Sequence, residues 1–594
     1  MASTLLAVAV PSAWLRAAAP TRRAAASPWQ QFTYSDVDLH GGLTEQQLDH
    51  HLALLMSLDE DSLLKPFRQM SGAPAPGADL GGWYSFDPDH FGIDEAYAPS
   101  ATFGQWVSAL ARMYAIKRAP QIRARVMRLN ELYAQTISGT YFEVNRFPAY
   151  CLDKLLCGLI DAHEFAADPD AFSIMGRAID AALPHLPARA IEHGQHWRLD
   201  RDASYDSDES YTVAENLYLA YQRGAGDRYR RLANTYLDDS YFGPLSAGQN
   251  NLAGRHAYSY VNALSSAMQA YLTAGSIKHL QAAAHGFDFL RQQSYVTGGW
   301  GPDETLRAPG TSDLYDSLTR THSSFETPCG AYAHFKLTRY LLRAIGDARF
   351  GDSMERMMYN TILGAKPIQA DGRTFYYSDY HRQGRKVYSP RRWPCCSGTL
   401  PQVAADYRIN TYFHNAEGLC VNLYLPSTVR WRRHGTRITL TQTSDYPLDG
   451  AIELRLQVER PERFVLQLRI PQWAAGAALT LNGRRVEIGL EPGTFASLTR
   501  LWHDGDRVQL ELPLRLRLES IDGAHPDTAA VLRGPLVLFA LGESPPPLTR
   551  GALLSARRVG AQSWEATGPG GPIRFVPFTA IADEPYRTYQ QVVS

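Results

Sequence analysis

The sequence predicts a multidomain α+β protein, in which a helical N-terminal part is followed by an all-β C-terminal part. The chain has 594 residues, more than one hydrophobic core usually holds, so two or three domains are expected. Apolar residues recur at the helical spacing i, i+3, i+4 up to about residue 365 and alternate with polar residues after about residue 415. Two different periods in one chain indicate two kinds of domain.

The helical part is predicted to consist of repeated antiparallel helix pairs. In one of them, Leu217–Tyr221 and Arg228–Leu237 have helical periodicity, and the turn-forming segment Gly224–Asp227 separates them. Such pairs recur at intervals of roughly 50–70 residues, which is typical of a closed helical toroid or a solenoid. We assign residues 35–415 to this domain and expect its function to lie in the long loops between the pairs.

The C-terminal part, residues 416–594, is predicted to form one or more β-sandwich domains. Apolar and polar residues alternate through Phe464–Ile470 and again through Val508–Leu518. Asn482-Gly483 is a hairpin turn signal. Short strands with this spacing are typical of a β-sandwich. No catalytic cluster is evident in this part, so we expect it to support the helical domain.

Residues 1–34 have a separate character. They are rich in alanine, with a short apolar run at Leu5–Val10 followed by Arg16, Arg22 and Arg23. A secretory signal peptide has its positive charges before the apolar run, and here the order is reversed. We expect either a disordered extension or an atypical export leader, so the location stays open between the cytoplasm and the periplasm or exterior.

Composition excludes several classes of partner. Lys and Arg number 59 against 60 Asp and Glu, so no basic field for nucleic acid or an anionic membrane is expected. No segment is long and apolar enough to span a bilayer. Six cysteines in a chain of this length do not form a disulfide framework. The many aromatic residues suit a sugar-binding cleft, and they also suit a large core.

The cysteines give the sharpest chemical signal. Cys395 and Cys396 are adjacent, and Cys329 follows Glu326 by three positions. Three thiolates and a carboxylate form a suitable tetrahedral shell for Zn²⁺, which accepts sulfur and oxygen ligands. The alternative is that these are unlinked buried thiols, which behave as small apolar residues.

Three further residues are candidates for sugar chemistry. Glu304 follows a glycine-rich loop and is a candidate acid/base, because glycosidases place a carboxyl group beside the bond that they cleave; the alternative is an acid in the first turn of a helix. His256 could bind a sugar hydroxyl or cap the helix that it precedes. Lys154, within an apolar helix, could point into a cleft or extend its amine to solvent.

Several separated segments resemble the zinc-dependent β-L-arabinofuranosidases of glycoside hydrolase family 127 and its sister family 146. The resemblance covers roughly residues 40–430, and its most specific motif is the cysteine pair with the three residues after it. The fold implied by the resemblance is an (α/α)6 barrel followed by β-sandwich structure, in agreement with the periodicity. The similar segments are Leu64–Arg68, Leu80–Trp83, Ser108–Ala111, Lys154–Asp161, Glu215–Asn216, Arg255–Ala257, Thr297–Gly299, Lys336–Arg339 and Cys395–Thr399.

The resemblance also implies roles for individual residues. Cys395 would be both a zinc ligand and the nucleophile, Glu304 the general acid/base, and His256 a ligand of a sugar hydroxyl. Two positions differ from the family pattern: Gln105 stands where histidine is expected, and Lys154 resembles the sister family. The spacing from Glu326 to Cys329 is also one residue longer than in the family. The implied zinc ligands are Glu326, Cys329, Cys395 and Cys396, and the implied substrate-binding residues are His256, Lys154, Gln105 and Trp83.

Together, these features predict a retaining exo-glycosidase that hydrolyses terminal β-L-arabinofuranosides with bound zinc. Its partner would be an arabinose-containing glycan or oligosaccharide, and a homodimer is left open. One alternative is the same mechanism on another furanoside or a deoxy-sugar. The other, from a different class, is a non-catalytic carbohydrate-binding protein with a structural zinc, which would have a closed shell and no reachable ligand sulfur.

Overall fold

The computed structural model describes residues 29–90, 92–198 and 208–593, and in this part of the chain helices precede sheets, as predicted. No helix in the described ranges is long and apolar enough to cross a membrane. The α-helices are α1 (Gly42–Ser57), α2 (Glu60–Met70), α3 (Phe103–Lys117), α4 (Pro120–Ala134), α5 (Gly139–Val144), α6 (Pro148–Ala166), α7 (Ala171–Ala182), α8 (Ala214–Gln222), α9 (Asp227–Thr235), α10 (Asp239–Ser246), α11 (Ala257–Ala274), α12 (Ile277–Arg291), α13 (Asp313–Arg320), α14 (Thr327–Ile345), α15 (Ala348–Asn360), α16 (Cys395–Asp406) and α17 (Arg550–Leu554).

The helices of the N-terminal part form two layers. Six of them contact one another in a closed ring, in the order α3, α6, α8, α11, α14, α16 and back to α3. Each inner helix has an outer helix packed against it, namely α4, α7, α9, α12, α15 and α1 in the same order. The first five of these directly follow their inner helix in the chain, whereas α1 reaches α16 from the start of the domain. The amphipathic pattern explains the layers: α14 is buried along nearly its whole length, whereas α9 buries only Tyr229 and Ala233.

The strands form three large sheets and one small one among the described residues. One has five strands in the order β1-β5-β6-β10-β13, another seven in the order β12-β11-β14-β9-β8-β7-β2, and the third nine. The strands are β1 (Gln30–Gln31), β2 (Val37–Leu39), β3 (Phe325–Glu326), β4 (Tyr377–Ser378), β5 (Tyr412–His414), β6 (Gly418–Val421), β7 (Ser427–Arg433), β8 (Thr436–Ser444), β9 (Ala451–Val458), β10 (Glu462–Ile470), β11 (Ala478–Leu481), β12 (Arg484–Arg485), β13 (Thr494–Trp502), β14 (Arg507–Glu511), β15 (Leu516–Ser520), β16 (Thr528–Arg533), β17 (Leu536–Leu541), β18 (Leu548–Thr549), β19 (Arg557–Gly560), β20 (Ser563–Gly568), β21 (Gly571–Pro577), β22 (Tyr586–Arg587) and β23 (Gln590–Val593).

The five- and seven-stranded sheets pack face to face. Trp431 on β7 meets Phe464 on β10 with ring centroids 5.4 Å apart, and the apolar side of β10 is buried. The predicted hairpin at Asn482-Gly483 joins β11 to β12. The alternating residues at 508–518 do not form one continuous strand. They are divided between β14 and β15, which lie in different sheets. Pro513 lies in the break, where it has no N–H to continue a ladder.

The N-terminal segment connects the helical and β parts. Residues 1–28, where most of the predicted extension or leader falls, lie outside the described residues. Residues 29–34 belong to the fold: β1 pairs with β5, and the Trp29 amide donates to the carbonyl of Arg343 at 3.0 Å. β2, within the segment assigned to the helical domain, pairs with β7. The sandwich therefore takes strands from both sides of the expected boundary.

A buried ion cluster fastens the helical layer to the sandwich. Arg469 on β10 is fully buried, and its guanidinium reaches Asp352 and Glu355 on α15, the latter at 2.6 Å. Its Nε also donates to the carbonyl of Asn422. Buried charges of this kind need partners on every side, because desolvation of an unpaired ion costs several kcal/mol.

We expect Arg469→Met to lower the free energy of unfolding by about 3–5 kcal/mol, since it leaves two buried carboxylates without their cation. Thermal and denaturant unfolding measure this. Arg430→Met is the matched control, because Arg430 pairs with Asp38 at the surface and is 58% exposed; its effect should stay within about 0.5 kcal/mol. Equal effects of the two substitutions would contradict the proposed fastening.

Candidate active site

A pocket lies where the N-termini of the six inner helices converge. Each inner helix contributes a residue from its first turn or from the loop just before it, so all six helices point their N-termini at this pocket. The long loops therefore carry the chemistry, while the helices supply a rigid frame. The lining residues are Trp83, Tyr97, Ala98, Phe147, Tyr150, His193, Glu209, His256, Tyr258, Glu304, Glu326, Tyr376 and Cys395.

The structure brings the four predicted metal ligands together. Glu326 ends β3 and directly precedes α14, Cys329 lies in the first turn of α14, and Cys395 and Cys396 open α16. Pro328 occupies the first turn of α14, where proline costs no helical hydrogen bond. The longer Glu326–Cys329 spacing is therefore absorbed by the strand-to-helix turn, and both side chains face the cysteine pair.

The distances within this cluster suit a shared ion. Glu326 Oε1 lies 3.2 Å from Cys395 Sγ and 3.7 Å from Cys396 Sγ. Cys396 Sγ lies 3.5 Å from Cys329 Sγ. One ligand atom from each of the four residues lies within 4.8 Å of the others, so the group could hold a metal ion. The carboxylate atom Glu326 Oε2 is buried with no hydrogen-bond partner among the described residues.

The surroundings of the cluster favour a cation. Burial raises the pKa of Glu326 and of the Cys329 and Cys396 thiols well above their usual values. Burial also raises the pKa of Cys395, but hydrogen bonds from Cys329, Cys396 and Tyr376 outweigh it and lower the pKa well below its usual value. The N-termini of two helices at the cluster add partial positive charge that stabilises thiolate. Among the three thiols of this cluster, Cys395 is the one whose pKa is lowered, and it is also the one that lines the pocket.

Glu304 lies in a short 3₁₀ turn, Pro302–Glu304, and not in the first turn of an α-helix. Gly301 has φ +72°, and a Cβ there would lie 2.4 Å from that of Ala257, so only glycine lets the turn approach the start of α11. Glu304 itself has φ +54°, a strained backbone of the kind found at functional sites. The turn thus holds the carboxylate against the pocket.

The Glu304 carboxylate has two partners. Tyr377 donates its hydroxyl hydrogen to Oε1, and His256 Nε2 lies 3.3 Å from Oε2. Burial raises the pKa of Glu304, but these bonds and the nearby Arg391 outweigh it and lower the pKa below its usual value. Burial lowers the pKa of His256, but Glu304 and Glu209 outweigh it and raise the pKa. The lowered pKa of Glu304 and the raised pKa of His256 both favour an ionised carboxylate that accepts a hydrogen bond from the imidazole.

His256 caps a helix and also lines the pocket. It caps α11, with Nδ1 3.4 Å from the Ser259 amide, and its ring lines the pocket. It also stacks on His193, with ring centroids 4.9 Å apart. The cap fixes the orientation of the ring, because Nδ1 is directed at the helix terminus while Nε2 faces Glu304.

Trp83 also lines the pocket, as predicted. Gly81 and Gly82 before it have φ +74° and +63°, and a Cβ at Gly82 would lie 2.2 Å from the carbonyl oxygen of Arg392. This contact fastens the tryptophan loop to the segment that leads into Cys395.

Lys154 and Gln105 do not line the pocket. Lys154 is buried, its amine donates to Asp153 at 3.0 Å, and its Nζ lies 4.1 Å from the ring centroid of Tyr150, which forms the wall. It neither extends to solvent nor reaches the cleft directly. Gln105 packs against Gly398 in α16 and donates to Gln402 at 3.4 Å. Both residues therefore support the wall, because their side chains lie one layer behind it.

The sequence did not reveal several residues at the pocket. His193 and Glu209 come from the segment between α7 and α8, and Tyr377 on β4 contacts Glu304 at the pocket wall. Arg391 lies near the Trp83 ring. No periodicity marks them, because they belong to loops or to strands of two residues. Only the pairing of β3 with β4, which sets Tyr377 opposite Glu326, brings that tyrosine to Glu304.

Comparison with known proteins identifies the family. Residues 36–408 match the model of the β-L-arabinofuranosidase GH127 catalytic domain, and residues 418–514 match that of the GH127 middle domain. The chain belongs to glycoside hydrolase family 127. It is therefore a glycoside hydrolase, and the family resemblance inferred from the motifs is confirmed. A sequence comparison with curated proteins gives no significant match.

Two solved structures of similar fold are GH127 proteins. The chain is 18% identical to Ara127N-Se, a GH127 β-L-arabinofuranosidase from Geobacillus stearothermophilus T6, over 94% of this chain and 100% of that one, with a TM-score of 0.72. It is 17% identical to BT3674, a GH127 β-arabinofuranosidase, over 96% and 98% of the two chains, with a TM-score of 0.73. At these identities the likeness shows the fold.

Proposed function

We propose that this glycoside hydrolase is a retaining exo-acting enzyme that releases terminal β-L-arabinofuranose, with Cys395 as nucleophile and Glu304 as acid/base. The observation that carries the proposal is that Cys395 and the hydrogen-bonded pair Glu304–His256 line one pocket. The family match supports the arabinofuranoside substrate. A pocket walled by six helix N-termini and their loops suits a single terminal sugar.

We also infer that the helical domain is an (α/α)6 barrel. The closed ring of six inner helices, each with an outer helix packed on it, supports this architecture. It supplies the geometric reason for the site, because parallel inner helices bring six loops to one end.

We infer that the metal is zinc, held by Glu326, Cys329, Cys395 and Cys396. In a tetrahedral zinc site, Zn–S bonds of about 2.3 Å set the sulfurs about 3.8 Å apart, and the Cys396–Cys329 distance of 3.5 Å is close to this. The unpartnered Glu326 Oε2 is free to turn toward an ion. Bound zinc would neutralise the buried anions and keep the Cys395 sulfur as thiolate near neutral pH.

In the first step, Cys395 Sγ attacks the anomeric carbon and the bond from that carbon to the leaving oxygen breaks. Glu304 gives its proton to the leaving oxygen, so the aglycone departs as a neutral alcohol. His256, in contact with Oε2, passes this proton to the carboxylate, and Tyr377 donates a hydrogen bond to the other oxygen. A thioglycosyl bond to Cys395 is the product of this step.

In the second step, Glu304 accepts a proton from water, and the water oxygen attacks the anomeric carbon. The carbon–sulfur bond breaks, and Cys395 is restored as thiolate. Two displacements on opposite faces give net retention. The aromatic wall, including Trp83, Tyr150 and Tyr258, excludes other water from the sugar ring.

Two rivals differ in what the pocket should show. A binding protein with structural zinc would have a closed shell, whereas Cys395 forms part of the pocket wall. The same mechanism on another furanoside or a deoxy-sugar is compatible with Gln105 and Lys154, which depart from the family pattern. Both side chains lie behind the wall and do not line the pocket. These two departures from the family pattern therefore need not change which sugar the enzyme accepts.

We expect the purified chain to carry about one zinc ion, and Cys329→Ala to lose it, because one of four ligands is removed. Chelation should also lower the unfolding temperature, since metal binding stabilises the folded state. Metal analysis and thermal unfolding measure both effects. Cys420→Ala is the matched control, because Cys420 is equally buried but lies on β6. A purified protein that contains no metal, and whose unfolding temperature does not change when a chelator is added, would refute the zinc site.

We expect Cys395→Ser to reduce kcat on p-nitrophenyl β-L-arabinofuranoside by at least roughly 10⁴-fold, because a hydroxyl replaces the thiolate nucleophile. Cys157→Ser serves as control, since Cys157 is also buried in the inner ring but does not line the pocket. Near-normal turnover by Cys395→Ser would exclude a thiolate mechanism.

We expect Glu304→Gln to slow hydrolysis of glycosides with poor leaving groups by roughly 10²–10⁴-fold and to affect an activated aryl glycoside far less in its first step. The reason is that only a poor leaving group needs a proton from the enzyme. Asp303→Asn is the control, because Asp303 is the neighbouring carboxylate and pairs with Arg307 and Arg320 outside the pocket. Equal slowing of both substrates would assign protonation to another group.

A further inference from the structure

Glu209 presents an unused hydrogen-bond acceptor to the sugar pocket. Its side chain lines the pocket and is only 7% exposed. Oε1 lies 3.5 Å from His256 Nδ1, whereas Oε2 is buried with no hydrogen-bond partner among the described residues. A buried carboxylate oxygen without a donor costs free energy, and proteins rarely leave one in that state.

The backbone holds Glu209 in this position against its conformational preference. Its φ is +51°, in the left-handed region, where a side chain with a Cβ is strained. Its carbonyl accepts from the amide and the hydroxyl of Thr212, both at 3.0 Å. The adjacent Asp208 accepts from the amides of Ala149 and Tyr150 at 2.8 and 3.1 Å. These contacts fix the loop to the start of α6, and strain retained in this way is common at binding sites.

His256 also separates the Glu209 carboxylate from the proposed acid/base, Glu304. His256 lies between it and Glu304, with 3.5 Å on one side and 3.3 Å on the other. Burial raises the pKa of Glu209, although His256 and Lys154 counteract this. A carboxyl group at this point has no leaving oxygen to protonate, because Glu304 and Tyr377 occupy that side. What it can offer is an acceptor for a donor on the substrate.

We propose that Glu209 is a specificity-determining residue, which accepts a hydrogen bond from one hydroxyl of the terminal sugar and so makes the pocket select a fully hydroxylated pentofuranose over a deoxy-sugar. This inference rests on the proposed glycosidase function and narrows its substrate class. A sugar without that hydroxyl leaves Oε2 unpaired in the pocket, and a site built around a hydrogen bond rejects the analogue that lacks it.

The test measures kcat/KM for p-nitrophenyl β-L-arabinofuranoside and for its 2-, 3- and 5-deoxy analogues, with the wild-type enzyme, Glu209→Gln and Glu209→Ala. With the wild-type enzyme, kcat/KM should fall for all analogues relative to the parent, and for one of them it should be at least roughly 10-fold lower than for the other two. This is the loss expected when a hydrogen bond to a charged group is removed. With Glu209→Ala, kcat/KM for the parent glycoside should fall to a similar degree. For the same analogue, the substitution should lower kcat/KM no further, because both changes remove one and the same interaction.

Several controls separate the outcomes. Zinc content and the unfolding temperature show whether each variant is folded, and Glu209→Gln keeps the shape if Glu209→Ala does not fold. Glu192→Ala, at a half-exposed carboxylate that pairs with Arg255, should leave the pattern of analogue rates unchanged. If the fold-losses in kcat/KM caused by removing the hydroxyl and by substituting Glu209 multiply, the two changes act independently, and Glu209 does not bind that hydroxyl. If the wild-type enzyme hydrolyses none of the furanosides, the proposed function fails, and this inference fails with it.

Discussion

The convergence of six helix N-termini on one pocket is the constraint on which the rest of the molecule depends. It places Cys329, Cys395 and Cys396 at the positive ends of two helices, where thiolates are stabilised. It also brings Glu326 to the same point from the end of a strand, so that four acidic groups are buried within 4.8 Å of one another. Such a cluster could hold a cation, which would offset the mutual repulsion of these groups when they ionise.

The β domains contribute to this arrangement from outside the ring. Arg469 fixes α15 to the sandwich, and Lys386 fixes the loop before Cys395 to the third sheet. The Lys386 amine donates to the carbonyls of Gly364, Phe578 and Ile581 at 2.6–2.9 Å, while burial lowers its pKa to about 7. Arg469 therefore anchors α15 to the β part, and Lys386 anchors the loop that leads to Cys395.

Backbone strain is concentrated around the pocket. Glu209, Asp303, Glu304 and Trp393 all have φ near +50°, where residues with a Cβ rarely lie. Three of these residues line the pocket or adjoin one that does. Each is held by neighbours that over-determine its conformation, and the result is that two carboxylates and the turn before Cys395 are fixed before substrate arrives. Fixed groups lose less entropy when the sugar binds.

The sequence by itself determined the order of the domains, the helical and strand periods, and the identity of the metal-ligand candidates. These features are local: α14 and β10 follow from the spacing of their own apolar residues, and Cys395-Cys396 is a contiguous motif. Glu326 and Glu304 were found in the same way, from motifs beside glycine or cysteine. The division of the 508–518 run at Pro513 was also present in the sequence, although the alternation obscured it.

Only the tertiary structure decided which side chains reach the pocket. Lys154 and Gln105 belong to family-like motifs but lie behind Tyr150 and α16, because burial within a ring of helices depends on packing between segments far apart in sequence. Glu209 and Tyr377 reach the pocket from loops and a two-residue strand, which carry no periodic signal. The physical reason is the same for all four: a position on a helix or loop is a local property, whereas the direction of a side chain toward a shared cavity is set by contacts between distant elements.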